Sequence, residues 1–70
     1  MDPIEQHVID TVIKLRLEKK LKQKDIAKIL QVSLSFIGNV ENPKNPAKYN
    51  LKHISQLAEF FELSPHQFLP

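Results

Sequence analysis

Residues 21–42 read LKQKDIAKILQVSLSFIGNVEN, and this stretch decides the fold. Two short runs within it, 23–30 and 34–41, carry apolar residues at spacings of three and four, which predicts two helices of about eight residues. Ser33 is well placed to cap the second run, whereas Lys22 is a poor cap for the first. Because so few residues separate the two helices, they must pack at a steep angle. The side chains expected to face inward are Ile26, Ala27, Leu30, Phe36, Ile37 and Val40.

The segment before this stretch predicts one amphipathic helix. Asp2 is placed as its N-cap, with Pro3 at the first helical position and Glu5 three residues after the cap. This helix should run to about Lys19, and residues 21–22 should break it. The apolar stripe that we expect it to bury comprises Ile4, Val8, Ile9, Val12, Ile13 and Leu17.

The segment after the stretch predicts a loop and two more helices. Residues 42–49 contain two prolines and several polar turn formers, which is typical of a loop. Asn50 then caps a fourth helix, and Ser-Pro at 64–65 begins a last turn that contains Phe68 and Leu69. The stripe of the fourth helix comprises Leu51, Ile54, Leu57, Ala58 and Phe61.

Length and composition predict one small globular domain. The 70 residues are 41% hydrophobic and 26% charged, so we expect a compact all-α domain of five helices spanning residues 1–70, with a thin core. No apolar run approaches the roughly 18 residues of a membrane span, and the start Met1-Asp2-Pro3 lacks the positive flank of a secretory signal. A cytoplasmic location is therefore expected. The absence of Cys excludes disulfides and thiolate metal sites.

The charges are segregated along the chain. Residues 1–13 carry three acidic residues and no Lys or Arg, whereas residues 14–24 carry six basic residues against Glu18 alone. A second basic block follows the predicted pair of short helices. Two such blocks could bind a polyanion, although solvated lysine faces are common on small proteins. The blocks comprise Lys14, Arg16, Lys19, Lys20, Lys22 and Lys24, then Lys44, Lys48 and Lys52.

The steep helix pair is the geometry of a helix-turn-helix, and residues 21–42 resemble the lambda-repressor-like (XRE-type, Cro/C1-type) DNA-binding family. Upstream, IKLR at 13–16 and EKKL at 18–21 are similar to the first helix of that family. Downstream, LKHISQLAEFFELSPHQFL at 51–69 resembles its last two helices. The positions that fall together in register are Gln23, Ala27, Val32, Ser33, Ile37, Glu41, Leu57, Ala58 and Ser64.

The resemblance implies a transcriptional regulator of repressor type that binds double-stranded DNA in a sequence-specific way. Residues 34–41 would form the recognition helix in the major groove, where Leu34, Ser35 and Asn39 face the bases. Since Asn pairs well with adenine and Leu can touch a thymine methyl, an A·T-leaning site is expected. The side chains expected at phosphates are Gln23, Lys24, Asn42, Lys44 and Lys48, with further support from Lys19, Lys20 and Lys22.

A homodimer on a near-palindromic site is also expected, because one short helix reads too few base pairs to be selective. The apolar stretch 60–69 is the candidate interface. Phe60 and Phe61 are adjacent, so at most one can point fully inward, and the other should meet Phe68 or a second subunit.

A second hypothesis stays open: a protein-interaction module, such as an antitoxin-like or regulatory subunit. In that case Leu34 would form an exposed patch for a protein partner, together with the Phe-rich end of the chain. Gln23 could likewise be no more than a solvated residue in the first turn of its helix.

Three positions depart from the family pattern. Members usually have Gly where this chain has Gln31 and Glu62, so a left-handed backbone there would cost roughly 1 kcal/mol at each residue. Gly38 lies inside the recognition helix, which contains no Lys or Arg. Either a close backbone approach to DNA or to another helix, or a loss of sequence reading, would account for this glycine.

Catalysis finds no support in the sequence, and we expect neither an enzyme nor a cofactor. His7, His53 and His66 lack the spacing that places two metal ligands on one helical turn, so they are expected to be surface histidines. The chain has one Gly and therefore no Gly-rich phosphate loop, and no Ser-His-acid set is suggested by spacing.

Overall fold

A computed structural model describes residues 2–70, which form an all-α fold with no strand in that range. The elements are α1 (Pro3–Glu18), α2 (Gln23–Leu30), α3 (Leu34–Glu41), α4 (Leu51–Phe61) and a 3₁₀ turn (Pro65–Phe68). The all-α fold class is confirmed, and α2 and α3 have the predicted bounds. The predicted absence of a secretory signal rested partly on Met1, which lies outside the described residues.

The predicted fifth helix is a single 3₁₀ turn. Its backbone bonds join residues three apart: the N–H of Gln67 donates to the C=O of Ser64 at 2.9 Å, and that of Leu69 donates to His66 at 3.1 Å. The count of five helices was therefore wrong by this one element. No helix in residues 2–70 has both the length and the apolar character needed to cross a membrane.

The predicted caps are present at the starts of three helices and of the 3₁₀ turn. Asp2 accepts the N–H of Ile4 at 2.7 Å, Ser33 that of Phe36 at 3.0 Å, and Asn50 that of His53 at 2.9 Å. Ser64 accepts the N–H of His66 at 3.3 Å. Lys22 supplies no side-chain cap to α2, as expected. Instead, the backbone N–H of Lys22 donates to the Asp25 carboxylate at 2.7 Å, and this bond stabilises the first turn of α2.

Three of the turns share one geometry, in which a non-glycine residue has a left-handed backbone. Lys20, Gln31 and Glu62 have φ values of 59°, 56° and 57°. After each of them the chain closes with a bond back to the preceding helix, such as Val32 N–H to Ala27 C=O at 3.0 Å. The left-handed backbone at Gln31 and Glu62 therefore carries the expected cost of roughly 1 kcal/mol at each residue. α1 ends at Glu18, one residue before the predicted Lys19, and residues 21–22 lie in the break as predicted, after the left-handed residue Lys20.

One core unites the four helices and the 3₁₀ turn. Most predicted inward positions are buried, but Ile4, Leu17 and Leu51 are exposed, contrary to the stripe pattern. All three lie in end turns of α1 and α4, where a continuous apolar stripe runs past the small core. Phe60 points away because its neighbour Phe61 packs against the core. The buried residues are Val8, Ile9, Val12, Ile26, Ala27, Leu30, Ile37, Val40, Tyr49, Ile54, Leu57, Ala58 and Phe68.

Candidate nucleic-acid interface

The outer face of α3 carries the three residues predicted to meet bases. Leu34, Ser35 and Asn39 are exposed, while Ile37 and Val40 bury the opposite side of the same helix. The spacing of three to four between buried positions turns these side chains outward together. The helix thus presents a small, mostly polar surface on a packed support.

A cluster of hydrogen bonds at Glu41, the last residue of α3, joins the first three helices. Arg16 of α1 donates to both carboxylate oxygens, from Nη2 to Oε1 at 2.7 Å and from Nε to Oε2 at 2.9 Å. Gln23 of α2 donates from Nε2 to Oε1 at 3.0 Å. Arg16 also donates from Nη1 to the C=O of Leu21 at 3.2 Å, which ties down the turn between α1 and α2. The cluster fixes the orientation of α3 relative to both other helices.

Both charges in this cluster are stabilised in their ionised forms. The hydrogen bond to Glu41 raises the pKa of Arg16 against the opposing effect of burial. Burial acts to raise the pKa of Glu41, but the hydrogen bonds from Arg16 and Gln23 and the charge of Arg16 outweigh it and hold that pKa below its ordinary value. Sequence reasoning missed this pair. The available signal was a carboxylate at a helix C-terminus, where the dipole disfavours negative charge and a cation is needed nearby.

The two residues near the start of α2 that are predicted to contact phosphates differ in how available their side chains are for such a contact. Lys24 is exposed, and the first backbone amides of α2 lie ahead of the first intrahelical bonds, so they can meet an anion. The side chain of Gln23 is half-buried and already donates to Glu41. The amide nitrogen of Gln23 therefore has one remaining hydrogen for a phosphate, and the residue also has a structural role.

The loop after α3 is held by its own polar side chains. Asn42 accepts the N–H of Lys44 through Oδ1 at 3.0 Å, and Asn45 accepts the N–H of Ala47 at 2.9 Å. The Asn42 amide group keeps its NH₂ for a phosphate, and the side chain of Lys44 is exposed beside it. Both residues predicted to hold the far phosphates thus lie together at the C-terminal end of α3.

Lys48 lies at the end of this loop and pairs with the acidic start of the chain. Its Nζ lies 2.6 Å from Oε2 of Glu5 in α1, and the hydrogen bond and the charge of Glu5 raise the pKa of Lys48. The fold brings the acidic segment 1–13 against the second basic block, which the sequence left apart. Lys48 is therefore less free for a phosphate than Lys44.

An aromatic cluster supports α3 from behind. The ring of Phe36 lies 5.5 Å from that of His53 and 6.4 Å from that of Tyr49, and Tyr49 and His53 are 5.9 Å apart. Burial raises the pKa of Tyr49, whose hydroxyl is buried without a partner in residues 2–70. Burial, together with the charge of Lys52, lowers the pKa of His53. His53 was expected at the surface, and its half-buried position corrects that prediction.

Gly38 lies in the middle of α3 with helical, negative φ. A Cβ added there would meet the Oε1 of Gln23 at 3.9 Å, an ordinary van der Waals contact, and no closer atom in residues 2–70 apart from its chain neighbours and the backbone of α3. Glycine in a helix interior costs about 1 kcal/mol relative to alanine. Neither the backbone conformation nor the packing of the described chain requires this glycine.

An apolar depression borders the site at the N-terminal end of α3. It has a volume of about 570 Å³ and brings Leu34 together with Leu17 and Leu21 from the end of α1 and the turn that follows. Leu17 and Leu34 are 60% and 54% exposed. The charged side chains that line it are Arg16, Lys20, Lys22 and Lys24.

The geometry agrees with what comparison with known proteins shows. The family model described as Helix-turn-helix matches residues 12–68, which include α2, α3 and the Glu41 cluster. No curated protein and no solved structure gives a significant match to the chain. Because the family model covers most of the sequence, the chain belongs to the XRE-type, lambda-repressor-like helix-turn-helix family, a family of DNA-binding regulatory domains and not of enzymes.

Proposed function

We propose that this protein binds double-stranded DNA at a specific sequence and regulates transcription as a repressor, acting in the cytoplasm. The observation that carries the proposal is the outward face of α3, where Leu34, Ser35 and Asn39 stand exposed on a helix that Glu41 locks to α1 and α2. Major-groove reading requires a fixed helix with exposed, mostly polar side chains, because base contacts depend on a defined position of the helix against the DNA.

The phosphate contacts in this proposal lie on both sides of α3. Gln23 and Lys24 at the start of α2 would hold one strand, and Asn42 and Lys44 beyond the end of α3 would hold the other. Lys48 would contribute after leaving Glu5. Neutralising several phosphates releases counterions, so binding should weaken steeply as salt is added.

We propose that the protein acts as a homodimer on a nearly palindromic site, with half-sites about 34 Å apart. Within the candidate interface 60–69, Phe68 is fully buried and is unavailable, whereas Leu69 is exposed. Leu69 lines an apolar groove of about 150 Å³ with Leu51, which is 83% exposed. This groove is our preferred contact between copies, because burying it removes apolar surface from water.

The test is selection of duplexes from a random DNA pool at about 50 mM and about 200 mM salt, followed by sequencing. We expect an A·T-leaning half-site enriched as an inverted repeat, with retention that falls steeply with salt. Enrichment of a single, unrepeated half-site would contradict the dimer. Retention without any enrichment would contradict sequence-specific regulation and leave backbone binding only.

The depression at Leu17, Leu21 and Leu34 favours a second candidate function, binding of a protein partner in an antitoxin-like or regulatory role. Because the rim of the depression is basic and its floor is apolar, it would suit a partner segment that carries both acidic and apolar side chains. No DNA retention at the lower salt concentration would favour this candidate. An apolar contact also predicts a shallow salt dependence, in contrast to the phosphate contacts of DNA.

A further inference from the structure

Gly38 is the one glycine in the chain, and the fold makes no use of it. Its φ is not in the left-handed region, and a Cβ would find ordinary space beside Gln23. Alanine would favour the helix at this position. The missing side chain therefore needs an explanation outside the monomer.

Gly38 borders the surface proposed for DNA. The residue is half-exposed, one helical turn after Leu34 and Ser35 and one turn before Asn42. Across the gap lies Gln23 at the start of α2. The gap thus separates the base-facing side of α3 from the phosphate-facing start of α2.

We propose that Gly38 is a specificity-determining residue that lets DNA approach the backbone of α3 more closely than a side chain would allow. Glycine commonly serves where a backbone meets a ligand closely. A methyl group at this point would lift the helix, which would move Asn39 away from the bases and Gln23 away from its phosphate together. The inference rests on the proposed function, and it specifies how deeply α3 enters the DNA groove.

The experiment compares wild type with Gly38→Ala and Gly38→Leu, using the best-retained duplex of the random pool as the probe. We expect the Tm of Gly38→Ala to rise by roughly 4–8 °C, since alanine stabilises the helix. We expect its Kd for the duplex to rise by about tenfold, and that of Gly38→Leu to rise further. A gain in stability with a loss in binding is a combination that a purely structural role would not produce.

The matched control is Thr11→Ala on α1, whose side chain bonds the C=O of His7 and lies outside the proposed interface. It also improves helix propensity, and its Kd should equal that of wild type. Equal Kd values for wild type and Gly38→Ala would overturn the seating inference while the proposed function stands. Failure of the wild type itself to bind any duplex would overturn both.

Discussion

Glu41 ends α3 with a carboxylate at the pole of the helix dipole that disfavours negative charge. It is tolerated there because Arg16 and Gln23 donate three hydrogen bonds to its two oxygens. The carboxylate and guanidinium side chains are only 7% and 14% exposed, so neither could be solvated in place if its partner were lost. One residue thus holds three helices in the arrangement that a DNA reader needs.

Replacing Arg16 should therefore destabilise the fold. We expect Arg16→Met to lower the free energy of unfolding by about 2–4 kcal/mol, because Glu41 would remain largely buried without its cation. Urea unfolding followed by circular dichroism measures the change. Lys14→Met, on the exposed side of the same helix, should stay within about 0.5 kcal/mol of wild type. A loss as small as that control for Arg16→Met would contradict a structural role for the pair.

His53 should make stability depend on pH. Burial, with the charge of Lys52, lowers its pKa from the ordinary 6.5, and its Nδ1 accepts the N–H of Asn50 at 3.2 Å, which requires an unprotonated nitrogen. The unfolded chain therefore takes up the proton more readily, so the contribution is complete above pH 6.5 and is lost as pH falls through the folded pKa.

Urea unfolding at about pH 7.5 and about pH 5.5 tests this, since carboxylates of ordinary pKa stay ionised at both values. Wild type should be less stable at the lower pH. His53→Gln keeps an acceptor for Asn50 but does not titrate, so it should lose less stability over the same interval. An equal loss in both proteins would show that other groups cause the pH dependence.

At the scale of elements, the turn between α2 and α3 sets how the two helices meet. Gln31 ends α2 in a left-handed conformation with φ 56°, and Val32 returns a bond to Ala27. An L-residue with a side chain adopts this conformation at a cost that glycine avoids. The turn therefore has a backbone geometry that suits glycine, although the residue at this position is Gln31.

Gln31→Gly should stabilise the protein by up to about 1 kcal/mol, because the folded state would lose its backbone strain. Thermal unfolding gives the change in Tm. Gln31→Ala retains a Cβ and should give no gain. DNA affinity should match wild type for both variants if the turn angle is unchanged. A lower Tm for the glycine variant would mean that the Gln31 side chain contributes more than its conformation costs.

Along α3 itself, base contacts and phosphate contacts should respond differently to substitution. Asn39→Ala should cost about 1–3 kcal/mol on the selected site and little on other sequences. Lys44→Ala, on the loop beyond the helix, should weaken binding to all sequences alike. Titration of the selected duplex and of a scrambled duplex separates the two effects. Equal losses of Asn39→Ala on both duplexes would remove Asn39 from base reading.

At the scale of the whole molecule, each basic block has one member held in an ion pair, Arg16 with Glu41 and Lys48 with Glu5. The Nζ of Lys48 lies 2.6 Å from Glu5, whereas Lys44 on the same loop forms no salt bridge within residues 2–70. The fold therefore uses part of the acidic segment to neutralise one lysine of the second basic block. The first block, around the start of α2, keeps Lys22 and Lys24 exposed.

This difference should appear in the salt dependence of DNA binding. Lys44→Ala should reduce the slope of log K against log salt by about one, whereas Lys48→Ala should reduce it by less. The reason is that Lys48 must first separate from Glu5. Glu5→Gln should free Lys48 and strengthen binding at low salt. Equal slope reductions for the two lysine variants would contradict the distinction.

The local elements could be predicted from the sequence alone. The bounds of α2 and α3 and the caps at Asp2, Ser33, Asn50 and Ser64 were all correct, because apolar spacing and capping depend on residues three or four positions apart. The outward orientation of Asn39 was implied by the family resemblance, and the side chain is exposed. The strained turn at Gln31 was anticipated from the family resemblance, because members usually have Gly at this position.

Only the tertiary structure decided what distant residues do to each other. Arg16 and Glu41 are 25 positions apart, and no local pattern pairs them. The same holds for Lys48 with Glu5, and for the exposure of Leu17 at the end of a stripe that is buried elsewhere. Secondary structure follows from local periodicity, whereas ion pairs and the edge of the core follow from how the helices pack. For this protein, the sequence determines which helix could read DNA, and the packing determines how that helix is held.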